Sequence, residues 1–196
     1  FSNSVVFVSE ANLARMARII AVLEKVVSLP AYRERVLAYA PPVARYSPGA
    51  AGVFLGYDFH LGPDGPQLIE INSNAGGALL NARLLRAQRA CCAPVASMMP
   101  AQTPVDAALV AMFREEWHLA RSAAALRPLA HIVIVDQRPG EQYLAPEFEL
   151  FRQLFEANGI GAMVADPAEL SFDGERLHCR GQVIDLVYNR LTDFAQ

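Results

Sequence analysis

Asp58, Glu70, Asn72 and Asn74 are the residues of this 196-residue chain whose types and spacing suit them to act together. They lie in the run GYDFHLGPDGPQLIEINSNAGGALLN, residues 56–81, among strand-forming apolar residues. Carboxylates and side-chain amides offer the oxygen donors that a hard divalent cation takes. Mg²⁺ in particular accepts an incomplete protein shell, with substrate phosphates and water completing it. Just beyond, Ala75-Gly76-Gly77 opens a helix, where glycine lets backbone N–H groups approach an anion. Cation and phosphate chemistry in adjoining segments is the first expectation; a hairpin with a merely solvated polar face is the competing one.

Two strands must position these groups. Residues 53–61 and 67–72 read as a β-hairpin, with the turn residues GPDGP between them. Alternation puts Leu68, Glu70 and Asn72 on one face and Ile69 and Ile71 on the other. A turn centred near Pro63-Asp64 sets Asp58 opposite Leu68. Glu70 is then a diagonal neighbour on the same face, about 7–8 Å away or less. Carboxylates that close repel each other, and one has a raised pKa unless a cation neutralises them.

Helical spacing predicts a first helix over residues 9–27, with Ser9 as N-cap and Leu13, Met16, Ile20, Leu23 and Val27 on one stripe. A second follows over 30–40 with Pro30 at its start, a third over 78–90, and a fourth over 103–122 capped by Thr103 with Pro104 at its first position. Residues 91–103 read as loop, with Met98 and Met99 as gap-fillers. From residue 128 the pattern changes. HIVIVD (131–136) suits a strand buried on both faces. Residues 146–158 form a helix with Phe148, Phe151, Leu154 and Phe155 inward and Gly159 as its left-handed terminator. Strand 161–165, a hairpin over 171–179 around Asp173-Gly174, and a third buried strand, VIDLVY (183–188), complete a small parallel α/β unit with a right-handed crossover. The domain boundary is expected near Arg127-Pro128.

With 53% hydrophobic and 19% charged residues, the composition is that of a globular protein. A net charge of −3 and the lack of any basic run argue against nucleic acid as a partner. No apolar run approaches the ~20 residues that span a bilayer. Cys91, Cys92 and Cys179 suit neither a disulfide framework nor a zinc site, so a cytoplasmic setting with small buried cysteines is expected. His60, His118, His131 and His178 are scattered without metal spacing. FSNSVVFVSE lacks the regions of a signal peptide and an initiator Met, and the true N-terminus is expected to be missing.

The E-x-N pair at the end of the second strand resembles the metal-binding element of ATP-grasp ligases. The longer pattern, Asp58, eleven residues, then Glu70-Ile71-Asn72, small residues and a glycine pair, is similar to circularly permuted, eukaryotic-type glutathione synthetases. There the metal-binding strand precedes the substrate domain. The stretch from HIVIVD through a DG hairpin to VIDLVYNRLTDF is similar in order to that family's substrate domain. The resemblance covers residues 53–194, in order and spacing more than in identity.

It implies a mixed α/β fold, with a partial ATP-grasp lobe of helices and metal-binding hairpin over residues 1–127. A small parallel-sheet substrate domain would occupy 128–196. It further implies that Glu70 and Asn72, joined or oriented by Asp58, ligate Mg²⁺ on ATP phosphates, and that Ser73, Asn74, Gly76 and Gly77 hold an acceptor substrate or a phosphate. Arg190 would bind a substrate carboxylate bidentately, with Asn189 and Asp193 assisting. Gln142, Tyr143 and Glu147 would present ligand-binding groups. The implied activity joins a carboxylate to an amine through an acyl phosphate. Its partners would be ATP and an amino acid or peptide, with a homodimer as a candidate assembly.

Departures from the family pattern include Gly56, where the family often has an arginine, and the lack of clear amino-acid-contacting serines after Asn72. The substrate is therefore left open. Lys25 is the single lysine against sixteen arginines, so the lysines that an ATP site needs are not supplied. The expectation is a fragment that does not catalyse alone. A noncatalytic small-molecule or phosphate-binding module related to ATP-grasp proteins is the alternative, and a phosphatase using the same carboxylates a weaker one.

Overall fold

Ser9 has an extended backbone, and its hydroxyl accepts the Asn12 amide at 3.2 Å, starting helix α1 (Glu10–Val27). Such a cap satisfies an amide that has no partner within the helix. The computed structural model describes residues 6–91, 105–121 and 127–192, together with the backbone but not the side chain of Cys91. The expectations placed on Cys92, Met98, Met99, Thr103, Pro104 and Asp193 lie outside the described residues. The chain divides into two compact units, Phe1–Gly49 with Phe54–Ala75, and Ala50–Val53 with Gly76–Gln196. The boundary expected near residue 127 falls inside the second.

The first unit holds α1, α2 (Pro30–Leu37) and the antiparallel pair β1 (Gly56–Gly62) and β2 (Gly65–Asn72). No residue of α1 or α2 is buried. Arg15 ties α1 to the hairpin, donating from Nη1 to the Asp64 carbonyl at 2.7 Å. Gly65 makes that contact possible. Its φ is +96°, and a Cβ there would lie 2.2 Å from Arg15 Nη1.

The hairpin register differs from the expected one. Gly62 pairs with Gly65 across a two-residue turn, and the pairing shifts between Asp58 and Phe59, so that Phe59 faces Leu68 while Asp58 faces Glu70. Ile69 is the extra residue of this bulge. The turn shifts the pairing by one place and the bulge by one more, so that Asp58 faces Glu70 rather than Leu68 and the two carboxylates go from diagonal to directly opposed.

The second unit contains α3 (Ala78–Cys91), α4 (Val105–Ala120) and a βαβ unit: β3 (His131–Val135), α5 (Ala145–Ala157) and β4 (Gly161–Ala165). Short strands β5 (Leu170–Phe172), β6 (Leu177–Cys179) and β7 (Gln182–Ile184) form an antiparallel sheet. β8 (Leu186–Asn189) then joins the parallel sheet in the order β4-β3-β8. Ile132, Val133 and Ile134 are fully buried, as a central parallel strand covered on both faces requires. Phe113 of α4 meets Phe155 and Tyr188 edge-to-face at centroid distances of 4.9 and 5.0 Å. Val133, Val135 and Ala165 pack with the buried Cys179 and Ile184 of the small sheet.

VIDLVY is not one strand. Its first half pairs with β6 and its second with β3, and Asp185 makes the break. The Asp185 carboxylate accepts the amides of Ala130 and His131 at 2.9 and 3.0 Å and pairs with Arg127, while its own N–H donates to the His131 carbonyl. The hairpin expected over 171–179 is therefore two strands of a three-stranded sheet.

Candidate functional site

In the first unit, Asp58 and Glu70 are cross-strand neighbours on one face of the hairpin, and both are exposed. Directly opposed residues have Cβ atoms about 4.5–5.5 Å apart. Asn72, two residues beyond Glu70, donates from Nδ2 to Asp58 Oδ2 at 3.3 Å. Its own opposite residue is Gly56, where a Cβ would lie 3.0 Å from Ala75 Cβ and 3.4 Å from Asn72 Cβ, so the glycine lets the strand exit pack closely. Ser73 is exposed and Asn74 half-buried at the strand exit, where the Ala75 amide reaches the Phe54 carbonyl at 3.4 Å. The donor set is all oxygen and carries two negative charges at the hairpin surface, which fits a hard cation of the Mg²⁺ type. Among the described residues no group of three or more His, Cys, Asp or Glu is placed to hold a metal.

In the second unit, Arg190, one of the expected substrate-side residues, lies with Asp136 at the carboxyl ends of β3 and β8. The chain passes from β3 to β4 on one side and returns to β8 on the other. This is the topological switch point at which open α/β sheets form a crevice. Arg190 follows β8, donates its amide to the Val135 carbonyl at 2.8 Å, and is only 5% exposed. Its guanidinium carbon lies 5.5 Å from the Tyr188 ring centroid. Asp136 follows β3 and is also buried. Burial raises the Asp136 carboxyl above the ordinary aspartate value, against the Gln137 amide and the Arg190 charge, which pull it down. Burial likewise pushes the Tyr188 hydroxyl up to about 12, with Arg190 opposing and the Glu147 carboxylate adding.

Glu147 is the group whose part sequence reasoning misjudged. It is 1% exposed, and it accepts the Gly77 amide at 2.6 Å on Oε2 and the Leu79 amide at 2.9 Å on Oε1. The anion at the start of α3 is the chain's own, so those two amides are engaged from within. Gly76 closes over the same place: a Cβ on it would lie 2.4 Å from Leu144 Cδ1 and 2.8 Å from Arg190 Nη2. A side chain at 76 would displace the ends of Leu144 and Arg190, and glycine at 77 is favoured by a φ of +94°. A signal for Glu147 was present in the sequence. It stands four residues before Phe151 on the inward stripe of α5, where a carboxylate needs partners.

The remaining expected residues are dispersed around this cluster. Gln142 donates from Nε2 to the Gln137 carbonyl at 2.6 Å. Tyr143 is 95% exposed. Asn189 is exposed, and its Oδ1 accepts the Leu191 amide at 3.0 Å. No family model and no curated protein matches the chain.

Proposed function

We propose that the chain is part of an ATP- and Mg²⁺-dependent carboxylate–amine ligase, similar to glutathione synthetase. The observation carrying this reading is the hairpin face on which Asp58 stands opposite Glu70, with Asn72 bonded to Asp58. Asp58, Glu70 and Asn72 would hold Mg²⁺, which supplies charge neutralisation to phosphate oxygens when bound. A substrate carboxylate oxygen attacks the terminal phosphorus of ATP, and the bond to ADP breaks. The amine nitrogen then attacks the acyl carbon, phosphate leaves, and the nitrogen gives up a proton. Arg190, Asn189, Gln142 and Tyr143 are the candidate substrate-side groups, and Ser73, Asn74, Gly76 and Gly77 the candidate loop.

A noncatalytic small-molecule or phosphate-binding module is the second reading; because Glu147 already engages the amides of Gly77 and Leu79, its ligand would bind elsewhere than at the start of α3. The two readings separate by experiment. In the ligase reading, the product of the complete reading frame releases ADP from ATP with Mg²⁺ and amino acid substrates, and Glu70→Ala lowers that rate by at least a hundredfold. ADP release no different between parent and Glu70→Ala would sink the ligase. Mg²⁺-dependent nucleotide binding without turnover selects the module.

A further inference from the structure

At the far end of the second unit's parallel sheet, by the amino ends of β3 and β8, is a pocket of about 220 Å³. Arg121, Arg127, Arg176, Glu175, Leu177 and Val183 are among its lining residues. Three guanidiniums converge there from three separate segments. Trp117 organises two of them: Arg121 stacks 4.3 Å from its ring centroid and Arg127 lies 5.2 Å away, while the indole N–H donates to the Arg127 carbonyl at 2.9 Å. The Arg127 side chain is further held by the buried Asp185 carboxylate. Arg121 has no carboxylate partner among the described residues, and Arg176 has only its exposed neighbour Glu175 at 3.7 Å, a contact of little energy.

Three guanidiniums against two carboxylates, Asp185 and the exposed Glu175, leave an excess of positive charge at the pocket that an anion would offset. Guanidiniums present forked N–H donors that match oxyanions, and Arg127 spends only part of its five donors on Asp185. The volume lies below the roughly 300–1,000 Å³ of drug-sized ligand pockets. A compact tetrahedral oxyanion meets donors on several sides, which a planar carboxylate does not. We propose that Arg121, Arg127 and Arg176 form a binding site for a phosphate group, carried either as the free ion or on a small phosphorylated molecule. The site shares no residue with the hairpin or with the cluster around Arg190, and it does not depend on the ligase reading.

Trp117 is the chain's one tryptophan, so its fluorescence reports on this place alone. Inorganic phosphate and glycerol phosphate are titrated into the full chain at constant low ionic strength, with chloride as the reference. A saturable fluorescence change is expected, weakened at least tenfold in Arg176→Gln, whose exposed side chain does not touch the reporter, and in Arg121→Gln, whose own stacking on Trp117 is read from the ligand-free spectrum. Arg83→Gln, on exposed α3 surface, should bind as the parent does. Equal affinity for the two ligands assigns the free ion, and tighter binding of the ester assigns a phosphorylated molecule; both support the site. No change beyond the chloride reference, or equal binding by Arg121→Gln, Arg176→Gln and the parent, overturns it.

Discussion

The two units solve opposite problems. The second surrounds its chemistry with a core: Phe113, Phe151 and Phe155 are each at most 1% exposed, and Glu147 and Arg190 are themselves buried. The first has two helices without a buried residue and keeps Asp58 and Glu70 in the open on a two-stranded ribbon. An isolated hairpin is marginally stable in water, so a charged pair on it is held mainly by local register. Buried polar groups are expensive and must be satisfied by fixed partners, whereas exposed carboxylates can await a cation. Similar residue types are thus locked in one unit and available in the other.

The comparison breaks most easily at Phe113. Phe113→Ala should cost about 3–5 kcal/mol in chemical denaturation. Leu13→Ala, at a half-exposed position of α1, should stay within about 0.5 kcal/mol. Similar losses for the two would mean the units do not differ as described.

Next comes Glu147→Ala, which leaves two helix-start amides without their acceptor and is expected to cost about 2–4 kcal/mol. Hydrogen exchange should report it at Gly77 and Leu79 first. Unchanged protection at both amides would remove Glu147 from the account of α3.

A smaller effect separates the two ends of the parallel sheet by pH. Burial pushes the Asp185 carboxyl up, but the Ala130 and His131 amides and the Arg127 guanidinium outweigh it and hold it below the ordinary aspartate value. Its contribution is therefore present above that ordinary value and is lost as pH falls through the lowered one. Asp185→Asn should cost about 1–2 kcal/mol at neutral pH and flatten this acid-side loss. Asp136, raised by burial, works in the other sense: stability falls as pH rises from the ordinary aspartate value through the raised one. Asp136→Asn should remove that decline. The same pH slope in parent and both variants would refute the assignment.

The smallest expected change is on the hairpin. Asp58→Asn relieves two carboxylates directly opposed, so hairpin amides should gain about 0.2–1 kcal/mol of protection in the absence of Mg²⁺. Added Mg²⁺ should protect the parent more than the variant, and equal protection of the two would argue against a cation there.

Much of this was legible from residue patterns. Ser9 as a cap, the strand HIVIVD, the inward phenylalanines of α5 and the left-handed Gly159 are local signals, each set by neighbours a few residues away. The turn residues marked the hairpin, but its register needed the bulge at Ile69, a pairing fact that alternation alone does not contain. VIDLVY carries no internal break signal stronger than one aspartate. Only the amides of Ala130 and His131, more than fifty residues away, divide it between two sheets.

The sequence by itself determined where the helices and most strands lie, that Asp58, Glu70 and Asn72 share a face, and that the second half contains a parallel α/β unit. These follow from period, propensity and turn chemistry, all short-range. Only the tertiary structure decided that Glu147 serves the start of α3, that Arg190 lies buried beside Asp136 and Tyr188, and that three arginines from separate segments line one pocket, two of them stacked on Trp117. Those outcomes depend on which distant groups are brought within hydrogen-bonding distance when the core closes, and long-range contact of that kind has no signature in spacing along the chain.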